Sequence, residues 1–203
     1  PSGVSASLGR PQSEFSLLNF EMPGLNPSDL QDVLDYGLHG LAMSRFSGLW
    51  TGILCLADTM DSSGLVNVDP ERLAIVTPDE HDPRREADVN RVLLLKNRLE
   101  TERVLREHKI PAAQAYVRAN GLDRVAFGSH RPRYGIVTTG KAYRDLRQAF
   151  ELLGIDEQVA RRIGLAIFKV AMPWPLEPTR VAAFARGLDR LMVVEHKRAF
   201  MEP

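Results

Sequence analysis

Cysteine is almost missing: Cys55 is the one cysteine in 203 residues. A single thiol excludes an internal disulfide framework and any all-cysteine metal or iron–sulfur site built within this chain, since such sites need about four thiolates. A reducing cytoplasm is the expected compartment. Surplus charge is missing too. Lys plus Arg number 26 and Asp plus Glu number 26, so no basic excess argues for nucleic acid or a membrane surface as partner. No apolar run approaches the roughly 18 residues of a membrane span, and no charged segment followed by an apolar core opens the chain. The chain begins at Pro1 rather than Met, so a processed chain or an excised piece of a larger protein is expected. There is no internal repeat, no low-complexity tract and no nucleophile elbow with a Ser, Asp and His in order.

What is present is enough for a core: 44% of residues are apolar, which suits one large domain or two small ones. Residues 1–25 are rich in Ser, Gly and Pro and read as loop. A helix is expected from Pro27 to about Arg45, with Asn26 as N-cap and Leu30, Val33, Leu34, Leu38, Leu41 and Ala42 recurring at helical spacing. Trp50 to Ala57 is a short apolar run without alternation, which suits a strand buried on both faces and makes Cys55 a buried thiol. Residues 60–88 are polar and read as a linker crossing a surface. A long helical pattern then runs from Glu86 to Asn120, carrying Val92 and Leu95 near one face; Pro111 must kink or divide it and Gly121 closes it. Val125 to Phe127 is a short edge strand, Tyr134 to Thr138 a strand feeding a helix, Asp156 to Ile163 a short helix and Leu165 to Val170 a strand. Thr179 to Gly187 is a further helix and Leu191 to Val194 a final buried strand. The order from residue 134 onward, βα(α)βαβ, calls for an α/β fold with a parallel, Rossmann-like sheet in three layers and right-handed crossovers.

Several stretches are candidates for chemistry. Gly135 and Gly140-Lys141 have the spacing of a phosphate loop. Ala142 stands where a magnesium-binding hydroxyl belongs, however, and Ile136 and Val137 continue a strand, so the nucleotide-triphosphate reading fails. The turn Thr138, Thr139, Gly140 and Lys141 still lies at the carboxyl end of a strand and the start of a helix, where free N–H groups favour an anion; the alternative is that a threonine caps the helix. Glu195-His196-Lys197-Arg198 follows the last strand and could supply an acid or base, or be a solvated strand end. Asp79-Glu80-His81-Asp82 has hard metal ligands, but adjacent residues rarely converge on one ion. His130-Arg131-Pro132-Arg133 could touch a phosphate or be an ordinary connection. Trp174 between two prolines is a rigid ring for an interface or pocket rim or, the favoured reading, a core anchor.

Five long segments, LNPSDLQDVLDYGLHGLAMSRFSGLW, NVDPERLAIVTP, YGIVTTGKAYRDLRQAFELLGID, KVAMPWPLEP and LDRLMVVEHKRAF, together resemble the large-subunit family of indolepyruvate ferredoxin oxidoreductase. The resemblance implies a cytoplasmic enzyme that oxidatively decarboxylates 2-oxo acids, especially arylpyruvates, with thiamine diphosphate, magnesium and iron–sulfur clusters. Ferredoxin would be reduced and coenzyme A would accept the acyl group. It also implies a layout: residues 1–59 as the tail of a pyrimidine-type thiamine-diphosphate domain, 60–120 as linker and long helix, and 121–203 as a transketolase C-terminal-like domain that may be cut short. The cofactor and cluster sites are expected elsewhere, which makes this chain an inactive scaffold portion, with a homo-oligomer and the remaining domains as partners. Two alternatives stand beside it: a stand-alone α/β interaction module, and a small anion-binding α/β domain using Thr138 to Lys141.

Overall fold

The computed structural model describes residues 13–80, 82 and 98–202. Helix α1 (Ser13–Asn19) lies inside the stretch read as loop. It is followed by β1 (Gly24–Leu25), helix α2 (Leu30–Ser47) and β2 (Gly52–Ile53), and β1 and β2 pair in parallel. Asp29, not Asn26, is the N-cap of α2, its carboxylate accepting from Asp32 N, and Gly48 ends the helix in the left-handed region. The correction follows from where Asn26 is held: its N–H donates to Ala171 O (2.8 Å) and its side chain packs against Gly140, while Asp29 has the extended backbone of an N-cap. The strand expected over Trp50–Ala57 shrinks to two half-buried residues. Trp50 and Cys55 are exposed, so the buried thiol is a misreading. A short apolar run does not distinguish a two-sided strand from a surface segment.

The face of α2 is also corrected. The sequence periodicity points Leu34, Leu38 and Leu41 at the core, yet all three face solvent, while Tyr36, His39, Met43 and Phe46 are buried. Helix α3 (Ala57–Met60) and a 3₁₀ turn at Pro70–Arg72 interrupt an otherwise irregular connector. That connector does cross a surface: Asn67 N donates to Gln31 Oε1 (2.7 Å), Arg72 pairs with Asp35 (2.9 Å), and Val76 and Asn120 exchange two hydrogen bonds at 2.8 Å.

Helix α4 (Arg98–Val104), a π-helical turn (Leu105–Lys109) and α5 (Ile110–Asn120) form the division that Pro111 demands. Proline has no N–H to donate back to the preceding turn, and the wider turn absorbs the missing bond. The part of the long helix expected before residue 98, with Val92 and Leu95, lies outside the described residues. Gly121 closes α5 at φ 61°.

The main sheet comprises β3 (Arg124–Gly128), β4 (Tyr134–Thr139), β5 (Leu165–Val170) and β6 (Arg190–Val194) in the order β3-β5-β4-β6. Helices α6 (Gly140–Leu152) and α7 (Glu157–Ile163) join β4 to β5, and α8 (Pro178–Ala185) joins β5 to β6. β4, β5 and β6 are parallel, as the βα order requires, but β3 runs antiparallel to β5, so the sheet is mixed. β6 is an edge strand with Leu191 and Met192 exposed, not the buried strand expected. Phe127, Ile136, Phe150 and Ile167 fill one side of the sheet, and Val137, Phe168, Val170 and Phe184 the other. A third core gathers Leu25, Tyr36, Met43 and Phe46 with Ala112, Tyr116 and Val117 of α5 and with Ala171 and Met172 beyond β5.

Candidate functional site at the carboxyl ends of the strands

In open α/β sheets, ligands bind beyond the carboxyl ends of the strands. Here that edge is formed by Thr138-Thr139, Val170 and Val194, and the amino end of α2 is folded down onto it. Gly140 opens α6 at φ 51°, a left-handed conformation glycine adopts without strain, and the Asn26 side chain occupies the place a β-carbon would take. The four residues read as an anion turn point in different directions. Thr138 is wholly buried, with its hydroxyl unpaired. Thr139 does not cap α6; its hydroxyl donates to Val170 O (2.8 Å). Lys141 reaches outward to both oxygens of Asp145 (2.7 and 2.8 Å), with Asp58 at 3.8 Å.

Asp145 also meets His196 Nε2 at 3.4 Å, so two candidates from distant stretches, Lys141 and His196, share one carboxylate. Neighbouring Glu195 instead accepts from Phe200 N and Met201 N, fixing the chain after β6. His130 and Arg131 are exposed, and Arg133 pairs with Asp189. Glu80 pairs with Arg118 (2.7 Å), while His81 lies outside the described residues. Among the described residues no three His, Cys, Asp or Glu converge to hold a metal. Trp174 is half-buried, precedes a cis proline and accepts a hydrogen bond from Gly24 N (2.9 Å) through its carbonyl.

Sequence reading missed a buried charge at this edge. Lys169, on β5, is 3% exposed and places its ammonium 2.5 Å from Asp32 Oδ2 of α2. Ser28 N (2.8 Å) and Ser28 Oγ (2.6 Å) donate to the same oxygen. The Tyr143 and Tyr36 rings face the ammonium at 5.0 and 5.8 Å. Burial alone would raise the Asp32 carboxyl; the Lys169 charge and the Lys169 and Ser28 hydrogen bonds outweigh it and hold it below the usual range. The signal was available in LAIFKV, because a lysine in an otherwise apolar two-sided strand needs a partner.

A second buried carboxylate, Asp123, accepts from Ala171 N (2.7 Å) and Met172 N (3.3 Å) and leaves Oδ2 unpaired. Burial pushes it up to about 7, against the pull of those two N–H groups. Glu177, also fully buried, caps α8 through Thr179 N and Arg180 N and binds Arg118 (2.9 Å). Apart from Asp123 Oδ2, these groups find their partners within the chain. Chemically, the arrangement clamps α2 and the segment beyond β5 onto the sheet.

The fold and this edge define the chain's class: a Rossmann-like α/β domain with a mostly parallel sheet flanked by helices. Residues 124–203 match the family model of the indolepyruvate oxidoreductase domain. Over 185 residues the chain is 27% identical to indolepyruvate oxidoreductase subunit IorA of Methanothermobacter thermautotrophicus, an alignment covering 89% of this chain and 27% of that subunit. Residues 124–203 are thus similar to the indolepyruvate oxidoreductase domain, in line with the sequence resemblance, and the chain spans about a quarter of the length of the curated relative it matches.

Proposed function

We propose that this chain is a non-catalytic scaffold portion of an indolepyruvate oxidoreductase. The observation that carries the reading lies at the strand ends, where such a sheet would place a ligand. Most of the polar side chains there are committed to intrachain bonds, Lys169 to Asp32, Thr139 to Val170 O and Lys141 to Asp145, and the unpaired Thr138 hydroxyl is wholly buried. On this reading the whole enzyme is cytoplasmic and oxidatively decarboxylates arylpyruvates to acyl-coenzyme A, reducing ferredoxin. Thiamine diphosphate, magnesium and iron–sulfur clusters would be held by other parts of the enzyme. The residues of this chain do not fit those groups: one thiol cannot ligate a cluster, and Lys141, nearest to a phosphate-binding position, already has Asp145 and Asp58 beside it.

The test is titration calorimetry of the chain with thiamine diphosphate and magnesium. No heat of binding is expected, and micromolar affinity would overturn the assignment.

A further inference from the structure

An open groove lies between α6, β3 and the turn into α7. Its volume is about 730 Å³, within the range of small-molecule sites. Tyr143, Arg147 and Glu151 line it at four-residue spacing, which puts them on one face of the helix. Gln148 also lines it, with Phe127 from β3 and Ile155 from the turn.

Arg147 is the unusual member. It is half-buried, with its guanidinium over the Phe127 ring at 4.1 Å. Its Nε is closed off from solvent without a partner, and among the described residues its one hydrogen bond is a long one from Nη1 to Tyr143 Oη (3.4 Å). A guanidinium placed for structure alone is normally met by a carboxylate, because withdrawing an unpaired charge from water is costly. Three carboxylates line the same groove but are engaged elsewhere: Asp145 with Lys141, Asp156 with Val159 N and Glu157 with Gly128 N. The fourth, Glu151, is exposed, and among the described residues neither it nor Gln148 makes a side-chain bond.

The unclaimed charges specify a ligand. Arg147 calls for an anionic group, yet the carboxylates around it repel a multiply charged phosphate. Glu151 calls for a cationic group. The two side chains stand one turn apart on α6, roughly 5–6 Å between β-carbons, a span bridged by a molecule that carries both charges on one carbon. Phe127, Tyr143 and Ile155 offer apolar surface to the rest of it. We propose that the groove between α6 and β3 binds a free α-amino acid with a large apolar side chain. Its carboxylate meets Arg147 and its ammonium meets Glu151, with Gln148 Oε1 as a second acceptor. The proposal does not rest on the scaffold reading, because no cofactor site enters it.

Titration calorimetry and two-dimensional amide NMR of the 203-residue chain with L-phenylalanine test it. A dissociation constant of about 1 mM or tighter is expected, with amide shifts centred on Phe127, Arg147 and Ile155. Phenylpropionate lacks the ammonium and phenethylamine lacks the carboxylate, so each should bind at least about tenfold more weakly. Arg147→Met keeps an apolar stem over Phe127 and Glu151→Gln alters only an exposed side chain, so both should fold, which far-UV circular dichroism verifies. Each should weaken phenylalanine binding about tenfold. Absence of binding at about 10 mM, tenfold above the expected constant, would overturn the proposal. So would phenylpropionate binding as tightly as phenylalanine, or an affinity unchanged in Glu151→Gln. Thiamine diphosphate binding that leaves these amides unshifted would sink the scaffold reading alone.

Discussion

Lys169 and Asp32 hold opposite charges out of water, where each alone would be costly and together they offset one another. Removing one partner is therefore far worse than removing both. Lys169→Met should lower unfolding stability by about 3–5 kcal/mol, because it leaves a buried carboxylate unpaired. Adding Asp32→Asn should recover part of that loss, since the amide oxygen can still accept from Ser28. The sign of the pH dependence separates the cases. In the wild type the Asp32 pKa is depressed, so its stabilisation is fully present above its unfolded value of about 3.9 and is lost as pH falls through the folded value. Without Lys169, burial raises that pKa, and the variant should instead lose stability as pH rises from acid towards neutral. Urea midpoints from pH 3 to 7, a range set by the design on either side of about 4, check both; a variant with the wild type's slope would show that Lys169 does not hold the Asp32 charge.

At the scale of elements, the punctuation of the chain was legible while its faces were not. Gly121 was read as a helix end and sits in the left-handed region, Pro111 was read as a break and follows a π-helical turn, and β3 was read as an edge and lies there. Each of these follows from a local rule about one residue's backbone. The inner face of α2, the two-residue β2 and the exposure of β6 were not legible, because burial depends on which distant surface arrives. Two apolar stripes on one helix give periodicity no means of choosing between them.

The glycines of the sheet domain allow a test of local against non-local constraint. Gly128 ends β3 at φ 100°, next to a register shift at Val125/Phe127, and a β-carbon there would run into the carbonyl oxygen of Leu165. Gly154 has φ 68° and open space around it. Alanine at Gly154 should cost only the left-handed strain, about 1–2 kcal/mol. Alanine at Gly128 adds a backbone collision, so its cost should exceed that of Gly154→Ala by more than about 1 kcal/mol. Chemical denaturation of the two variants decides it, and equal costs would mean that β3 shifts freely away from β5.

The whole molecule poses a question of cooperativity. The sequence resemblance divides the chain into 1–59, 60–120 and 121–203, but among the described residues one core runs through all three. Met43 from α2, Tyr116 from α5 and Met172 from beyond β5 are each completely buried in it. Backbone bonds cross the same seam, from Asn26 N to Ala171 O at 2.8 Å and from Gly24 N to Trp174 O at 2.9 Å, and the Lys169–Asp32 pair crosses it beside them. If α2 left, it would expose apolar surface on α5 and on the segment following β5 while stranding Lys169. These parts should therefore unfold together. Far-UV circular dichroism and the fluorescence of Trp50 and Trp174 are expected to report coincident urea transitions. Met43→Ala, a pure cavity on the α2 side, should cost about 2–5 kcal/mol and shift both signals equally. An α2 side that melts first, with the sheet signal left in place, would show that the shared core is a contact between independently stable units.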